Sequence, residues 1–307
     1  MHNPFRLTVW VAVFGTCLIG LMHQPASASD HADTPLLTSV GRADARITDL
    51  HVFTNPTDGG DNLVLALSTF PNLPLRSYQF SADLTLRFHI DYHSEVAFDK
   101  ETDNTQFGGR IVNPDGMGAD VVLEFTFDDM GNPILSASGL TAEQEKDIQI
   151  FAGIRDDPFI RGPQIGKNVA AVVVEFPLKH VLRSSSTILV WATSKVPDIV
   201  GPQSDLAGRA LRSQCSEPVC NELDGSDVDL RNEISPHKYS RKLGIRPDVV
   251  MFDTSRPAAF PNGRLLTDDV VDLVARFGQN LLDSDYPFPA TNDVAFLTKF
   301  PYLAPPR

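Results

Sequence analysis

The sequence predicts a mainly β chain: an antiparallel, β-sandwich-like single domain with few helices and one amphipathic helix near the C-terminus. Three observations predict it. Apolar residues recur with period two along several short segments. Those segments are rich in β-branched and aromatic residues, which suit a pleated surface. Gly, Pro, Asn and Asp punctuate them, and the 23 prolines in 307 residues fit a chain with many turns.

The elements follow in order. "NLVLALSTF" (62–70) comes after the turn-rich "NPTDGGD" and reads as a strand. "DLTLRFHIDYH" (83–93) alternates Leu84, Leu86, Phe88 and Ile90 against Thr85, Arg87 and His89, the pattern of a half-buried strand. "DVVLEFTFDD" (120–129) alternates in the same way, and the turn "DDMGNP" leads into "ILSASG" as a hairpin. "NVAAVVVEFP" (168–177) and "STILVWATS" (186–194) complete the strands. "TAEQEKD" (141–147) carries a capping box, with Thr141 as N-cap and Gln144 three residues on. In "LTDDVVDLVARFGQNLL" (266–282), Thr267 is the predicted cap, with Asp268 and Asp269 in the first turn. Val270, Leu273, Val274, Phe277 and Leu281 give that helix one apolar face. Residues 197–246 lack periodicity and read as an irregular, acidic excursion from the sheet.

The N-terminus reads as an export signal. Arg6 is the only formal charge among residues 1–28, an apolar run follows from Leu7 to Met22, and Ala26-Ser27-Ala28 closes the segment. A positive start, an apolar middle of roughly 7–15 residues and an A-x-A site are what a secretory peptidase recognises. The alternative is a retained anchor, for which the run is short against the ~20 residues a span needs. Cleavage after Ala28 leaves Ser29–Arg307, periplasmic or extracellular, with no later stretch apolar enough to cross a bilayer. The net charge of −13 argues against nucleic acid, whose phosphates need a basic face. Two cysteines remain after cleavage, Cys215 and Cys220, and an oxidising compartment makes a disulfide their default state. A zinc site would need two more ligands, and only His237 is within reach along the sequence.

An ordered set of segments then stands out: "SDHADTPLL", "ITDLHVFTNP…DNLVLAL", "FAGIRDDPF", "FPNGRLLTDDVVDLVARF" and "NDVAFLTKFPYLAPP". Together they resemble the domain-of-unknown-function family 4331, found in exported bacterial proteins. The resemblance covers most of the chain after residue 28, least well around the cysteines. It implies export and brings no established activity. The pair "ITDLHVF…DNLVLAL" also bears a looser likeness to the opening strands of carbohydrate- and haem-binding sandwich domains.

Four constellations are candidates for chemistry. A chain beginning Ser29-Asp30-His31 can surround Cu(II) or Ni(II) with its amine, two deprotonated amides and the His31 imidazole, a tetragonal nitrogen set. Arg155, Asp156 and Asp157 precede Pro158; adjacent carboxylates serve as acid and base when their environments differ. The plainer reading is a turn, with Arg155 paired to an aspartate or a neighbour. Asp49 and His51, two apart on a strand, can share a face. "FDKETDN" places Asp99, Glu101 and Asp103 at alternate positions as calcium loops do, but Asn104 stands where the loop glycine belongs and Arg110 where the closing glutamate belongs. That leaves a looser calcium loop or a solvated turn, and "ELDGSDVD" (222–229) reads alike. His89 and His93 lie about 13 Å apart on a strand, too far to share a metal, and read as surface residues. Neither Gly-x-Ser-x-Gly nor a phosphate-binding glycine loop occurs.

The expected function is therefore non-catalytic: an envelope or secreted binding protein whose partner is an unknown small molecule or envelope component. The alternatives are an extracytoplasmic hydrolase working through acidic residues, and a structural or stress-response envelope component. Fold alone does not choose among them.

Overall fold

The computed structural model describes residues 37, 39–57, 60–73, 77–160, 167–182, 185–210, 248–276 and 289–307. Two antiparallel sheets pack face to face. The first has four strands in the order β1 (Ile47–Thr57), β2 (Gly60–Leu73), β9 (Asn168–Pro177), β8 (Gln149–Asp156). The second has six. It runs β11 (Asp205–Ala207), β10 (Thr187–Lys195), β3 (Thr85–Asp91), β6 (Val121–Phe127), β7 (Pro133–Ser138), and β12 (Val250–Asp253) also pairs with β10. A small pair, β4 (Val96–Ala97) and β5 (Arg110–Ile111), flanks helix α1 (Glu101–Phe107). The mainly β, sandwich-like class read from the sequence is the class observed.

The period-two pattern explains which residues meet. Leu63, Leu65 and Leu67 of β2 and Val172 and Val174 of β9 face Leu86, Phe88 and Ile90 of β3 and Leu123 and Phe125 of β6 across one core. Along β6 the burial alternates residue by residue, as expected when one face is packed and the other half-solvated. Nine of the ten residues of β9 are buried because both of its faces are covered. On its outer face Ala171 and Val173, with Phe53, Val64 and Ala66 from β1 and β2, lie under Leu266, Tyr302 and Leu303 of the C-terminal region. Tyr302 meets Phe53 edge to face at 5.7 Å between centroids, a geometry worth ~0.5–1.5 kcal/mol beyond area burial.

Local signals held where local chemistry decides. Asp128 Oδ1 accepts from the N–H groups of Met130 and Asn132 and closes the predicted hairpin between β6 and β7. Thr141 and Gln144 form the reciprocal capping box at helix α2 (Ala142–Glu145).

Other expectations change. The C-terminal helix α3 (Val270–Arg276) starts later than predicted, and Thr267 lies outside it. Asp269 accepts from the Asp272 N–H in the manner of a cap, while Asp268 accepts from the N–H groups of Phe260 and Leu265 and ties the preceding loop. Val270 and Val271 are buried against Phe159 and Ala210; Phe277 and Leu281 lie outside the described residues. The "FDKETDN" stretch is largely helix α1, which ends at Gly108, and not a calcium loop. Asp99 pairs with Arg110 at 3.1 Å instead, and Asp103 is buried. The supposed excursion from 197 begins inside the fold, since β11 pairs with β10 and Asp198 pairs with Arg42. His89 is buried, not on the surface. It stacks on Trp191 at 5.1 Å with its Nε2 2.9 Å from Thr193 Oγ1. Burial first, then Arg87, brings its pKa down to about 3. Trp191 itself is packed among Ile111, Leu189 and Met251. Among the described residues no helix is long and apolar enough to cross a membrane.

Candidate functional site

The outer face of the first sheet turns polar at one end. A register shift between Ile47 and Asp49 sets Asp49 opposite Ser68, and two residues on, His51 lies opposite Ala66. Strand alternation then keeps Asp49, His51 and Phe53 on one face. Asp49 and Ser68 are 0 % exposed and His51 1 %, although all three belong to residue types that favour water.

What buries them is the return of the chain two hundred residues later. Arg264 forms a two-way backbone bridge with Val52: the Val52 N–H donates to the Arg264 carbonyl at 3.1 Å and the Arg264 N–H to the Val52 carbonyl at 2.8 Å. The Gly263 N–H donates to the Met251 carbonyl at 2.8 Å, so this short segment joins β1 of one sheet to β12 of the other. Gly263 has φ +70°, and a Cβ there would sit 2.6 Å from the Val52 carbonyl oxygen; only glycine fits. Asn262 braces the turn, accepting from the Asp253 N–H at 2.8 Å and donating to the carbonyls of Asp253 and Pro257. So held, Arg264 reaches Asp49 with Nη2 to Oδ1 at 2.8 Å, an ion pair with side chains 2 % and 0 % exposed.

The Arg155-Asp156-Asp157 stretch ends β8 rather than forming a turn, and its members part company. Arg155 pairs with neither aspartate. Its guanidinium lies 3.8 Å over the Phe151 ring and donates to the Ile154 carbonyl. Asp156 clamps the C-terminal segment, accepting from Asn292 Nδ2 at 2.9 Å and from Arg307 Nε at 3.3 Å. Burial above all, then the charge of Asp293, pushes its pKa up to about 6. Asp157 is enclosed within electrostatic reach of Asp49. Its Oδ1 accepts from the Phe159 N–H at 3.0 Å, and burial followed by repulsion from Asp49 raises its pKa well above the carboxylate range. At His51, burial and then Arg264 lower the pKa well below the usual value, so the ring is neutral.

The cluster therefore comprises Asp49, His51, Ser68, Asp157 and Arg264. His51 Nδ1, Ser68 Oγ and Asp157 Oδ2 are buried with no hydrogen-bond partner among the described residues. An unsatisfied buried polar atom costs about 1–3 kcal/mol, so such atoms ordinarily hold water or a ligand. Sequence reasoning singled out Asp49, Arg155, Asp156 and Asp157, and noted His51 beside Asp49. It missed Ser68 and Arg264. The signal for Arg264 was there: a lone cation directly after Asn-Gly, followed by Leu-Leu.

Among the described residues no group of three His, Cys, Asp or Glu side chains is placed to hold a metal ion. Ser29 and His31 of the copper or nickel reading, Cys215 and Cys220, His237 and the 222–229 segment lie outside the described residues. No protein-family model, no curated protein and no solved structure matches this chain.

Proposed function

We propose that the protein is an exported, non-catalytic binding protein of the periplasm or beyond, seating a small polar ligand in the covered cluster of the first sheet. One observation carries the reading: His51 Nδ1, Ser68 Oγ and Asp157 Oδ2 are buried and unpartnered beside the Asp49–Arg264 ion pair. A bound molecule with its own donors and acceptors would recover part of the cost of their burial. The group supplies an imidazole, a hydroxyl, a carboxyl and a charge-paired carboxylate, a set suited to orienting a polar guest. Export is supported by Arg6, the apolar run and Ala26-Ser27-Ala28, and by the resemblance to family 4331.

A hydrolase is favoured by a single feature, two carboxyl groups, Asp49 and Asp157, of which one is pushed towards its protonated form. Burial weighs against it. Carboxyls that cleave a glycosidic bond flank it on both sides, and side chains 0 % and 1 % exposed do not admit a polymer between them.

Native mass spectrometry of the protein purified from its own cells tests the proposal. The expected spectrum shows mass in excess of the chain, lost in folded Asp157→Asn and Ser68→Ala variants. A bare chain mass for the wild type overturns the reading, and the same spectrum reports the true N-terminus.

A further inference from the structure

We propose that His180, Gln144 and Asp147 form a proton-operated latch at one end of the sandwich: when His180 takes up a proton, the Gln144 amide turns and the N-cap of helix α2 opens. The inference is independent of the buried cluster.

The latch sits where the chain crosses twice between the sheets. Helix α2 lies on the connection from β7 of the second sheet to β8 of the first. The 3₁₀ turn Leu178–His180 lies on the connection from β9 back to β10. The His180 ring joins these two crossovers. Its Nε2 lies 2.8 Å from Asp147 Oδ2 and its Nδ1 3.3 Å from Gln144 Nε2. The imidazole is 8 % exposed and the Asp147 side chain 50 %, so the ring is closed in while its carboxylate partner is half in water.

The capping box fixes where the protons are. Gln144 Oε1 accepts from the Thr141 N–H at 2.9 Å, and the Gln144 N–H donates to Thr141 Oγ1 at 3.3 Å. With Oε1 committed to Thr141, the amide turns its NH₂ group to His180, and that group only donates. Nδ1 therefore carries the lone pair, and the ring proton sits on Nε2, donated to Asp147. A neutral ring in this one tautomer satisfies every contact. A protonated ring does not, because its Nδ1–H then faces the Gln144 amide hydrogens. Turning the amide end for end brings Oε1 to Nδ1–H but sets the NH₂ group against the Thr141 N–H. Gln144 can serve the imidazolium or the helix cap, not both.

The charged neighbours leave the ring to Asp147. On α2 and its flank, Glu143 pairs with Lys146 at 2.7 Å. Glu145 and Lys179 stand on the two turns themselves, and Lys179 is exposed. On β2, which packs against the 3₁₀ turn, Asp61 is exposed. Glu175 of β9 is taken up by Asn55, Asn62 and Tyr302. Asp147 favours the proton on His180, and Gln144 opposes it.

NMR of the full chain across a pH series is the test. At high pH the His180 ring nitrogens are expected to show the Nε2–H tautomer. As the ring takes up its proton, the Thr141 amide resonance is expected to move with the same midpoint. Protection of that amide against hydrogen exchange should fall about fivefold, as for loss of a helix cap. Gln144→Glu offers one carboxylate oxygen to each donor, so the ring midpoint should rise and the Thr141 amide should cease to follow it. His180→Gln should abolish the Thr141 transition; should that variant misfold, the half-exposed Gln144→Glu site still decides. An Nδ1–H tautomer, a Thr141 amide indifferent to the ring's proton, a transition that persists in folded His180→Gln, or a Gln144→Glu midpoint no higher than that of the wild type overturns the proposal.

Discussion

Replacing Arg264 with methionine isolates what the buried ion pair contributes. Methionine keeps much of the apolar stem of arginine and removes the charge. Asp49, 0 % exposed, then stays enclosed without its guanidinium, near Asp157. Removing one partner of a buried ion pair costs about 3–5 kcal/mol. At ~2–4 °C per kcal/mol for a domain of roughly this size, the melting temperature should drop by roughly 6–20 °C. Adding Asp49→Asn to the Arg264→Met background removes the carboxylate that Arg264 had balanced and should return part of the loss. Melting curves of the wild type, both single variants and the double variant complete a cycle that reads the coupling directly. Acid provides a second check, because protonating Asp49 should shrink the difference between Arg264→Met and wild type at low pH. A single variant that melts with the wild type, or a double variant no better than Arg264→Met, would refute the reasoning.

Other outcomes follow from the same region. Asp157→Asn should alter how stability depends on pH. Below pH 3.8 the carboxyl is protonated in both folded and unfolded chains; above it the unfolded chain ionises first, and stability falls until pH passes the raised folded value. Each unit of that interval is worth about 1.4 kcal/mol, so the wild type should lose stability relative to the variant as pH rises from 4, measured by denaturant titration of refolded protein. Asp156, with a folded pKa of about 6, acts in the same direction in both proteins, and its repulsion of Asp157 is part of the difference. A difference curve flat with pH would rule out a raised Asp157. Gly263→Ala forces a Cβ against the Val52 carbonyl in a left-handed conformation and should cost about 2 kcal/mol or more, read as a lower denaturation midpoint. A neutral result there would show that the segment joining the two sheets yields freely.

The strands were legible because their signal is local. Alternation in "DVVLEFTF" reports one packed face wherever the partner strand comes from, and β6 shows that alternation at every position. The capping box at Thr141 and the Asp128 turn were legible for the same reason, since all their partners lie within four residues. The start of α3 was not: Thr267, Asp268 and Asp269 can each cap, and the choice fell to Asp269 because Asp268 is engaged by Phe260 and Leu265. His89 looked like the polar side of a half-buried strand, but its face is covered by Trp191, which no local pattern announces.

By itself, the sequence determined a period-two chain with turns at set places, an acidic balance and a leader-like start. It also marked Asp49, Asp156 and Asp157 as carboxylates of interest. Only the tertiary structure decided what those carboxylates became. Asp156 holds the C-terminal segment through Arg307 and Asn292, Asp157 is enclosed near Asp49, and Asp49 pairs with an arginine 215 residues away. The physical reason is range. Backbone propensity and caps act within a turn or two of chain, whereas burial, ion pairing and pKa depend on whatever distant segment returns to exclude water.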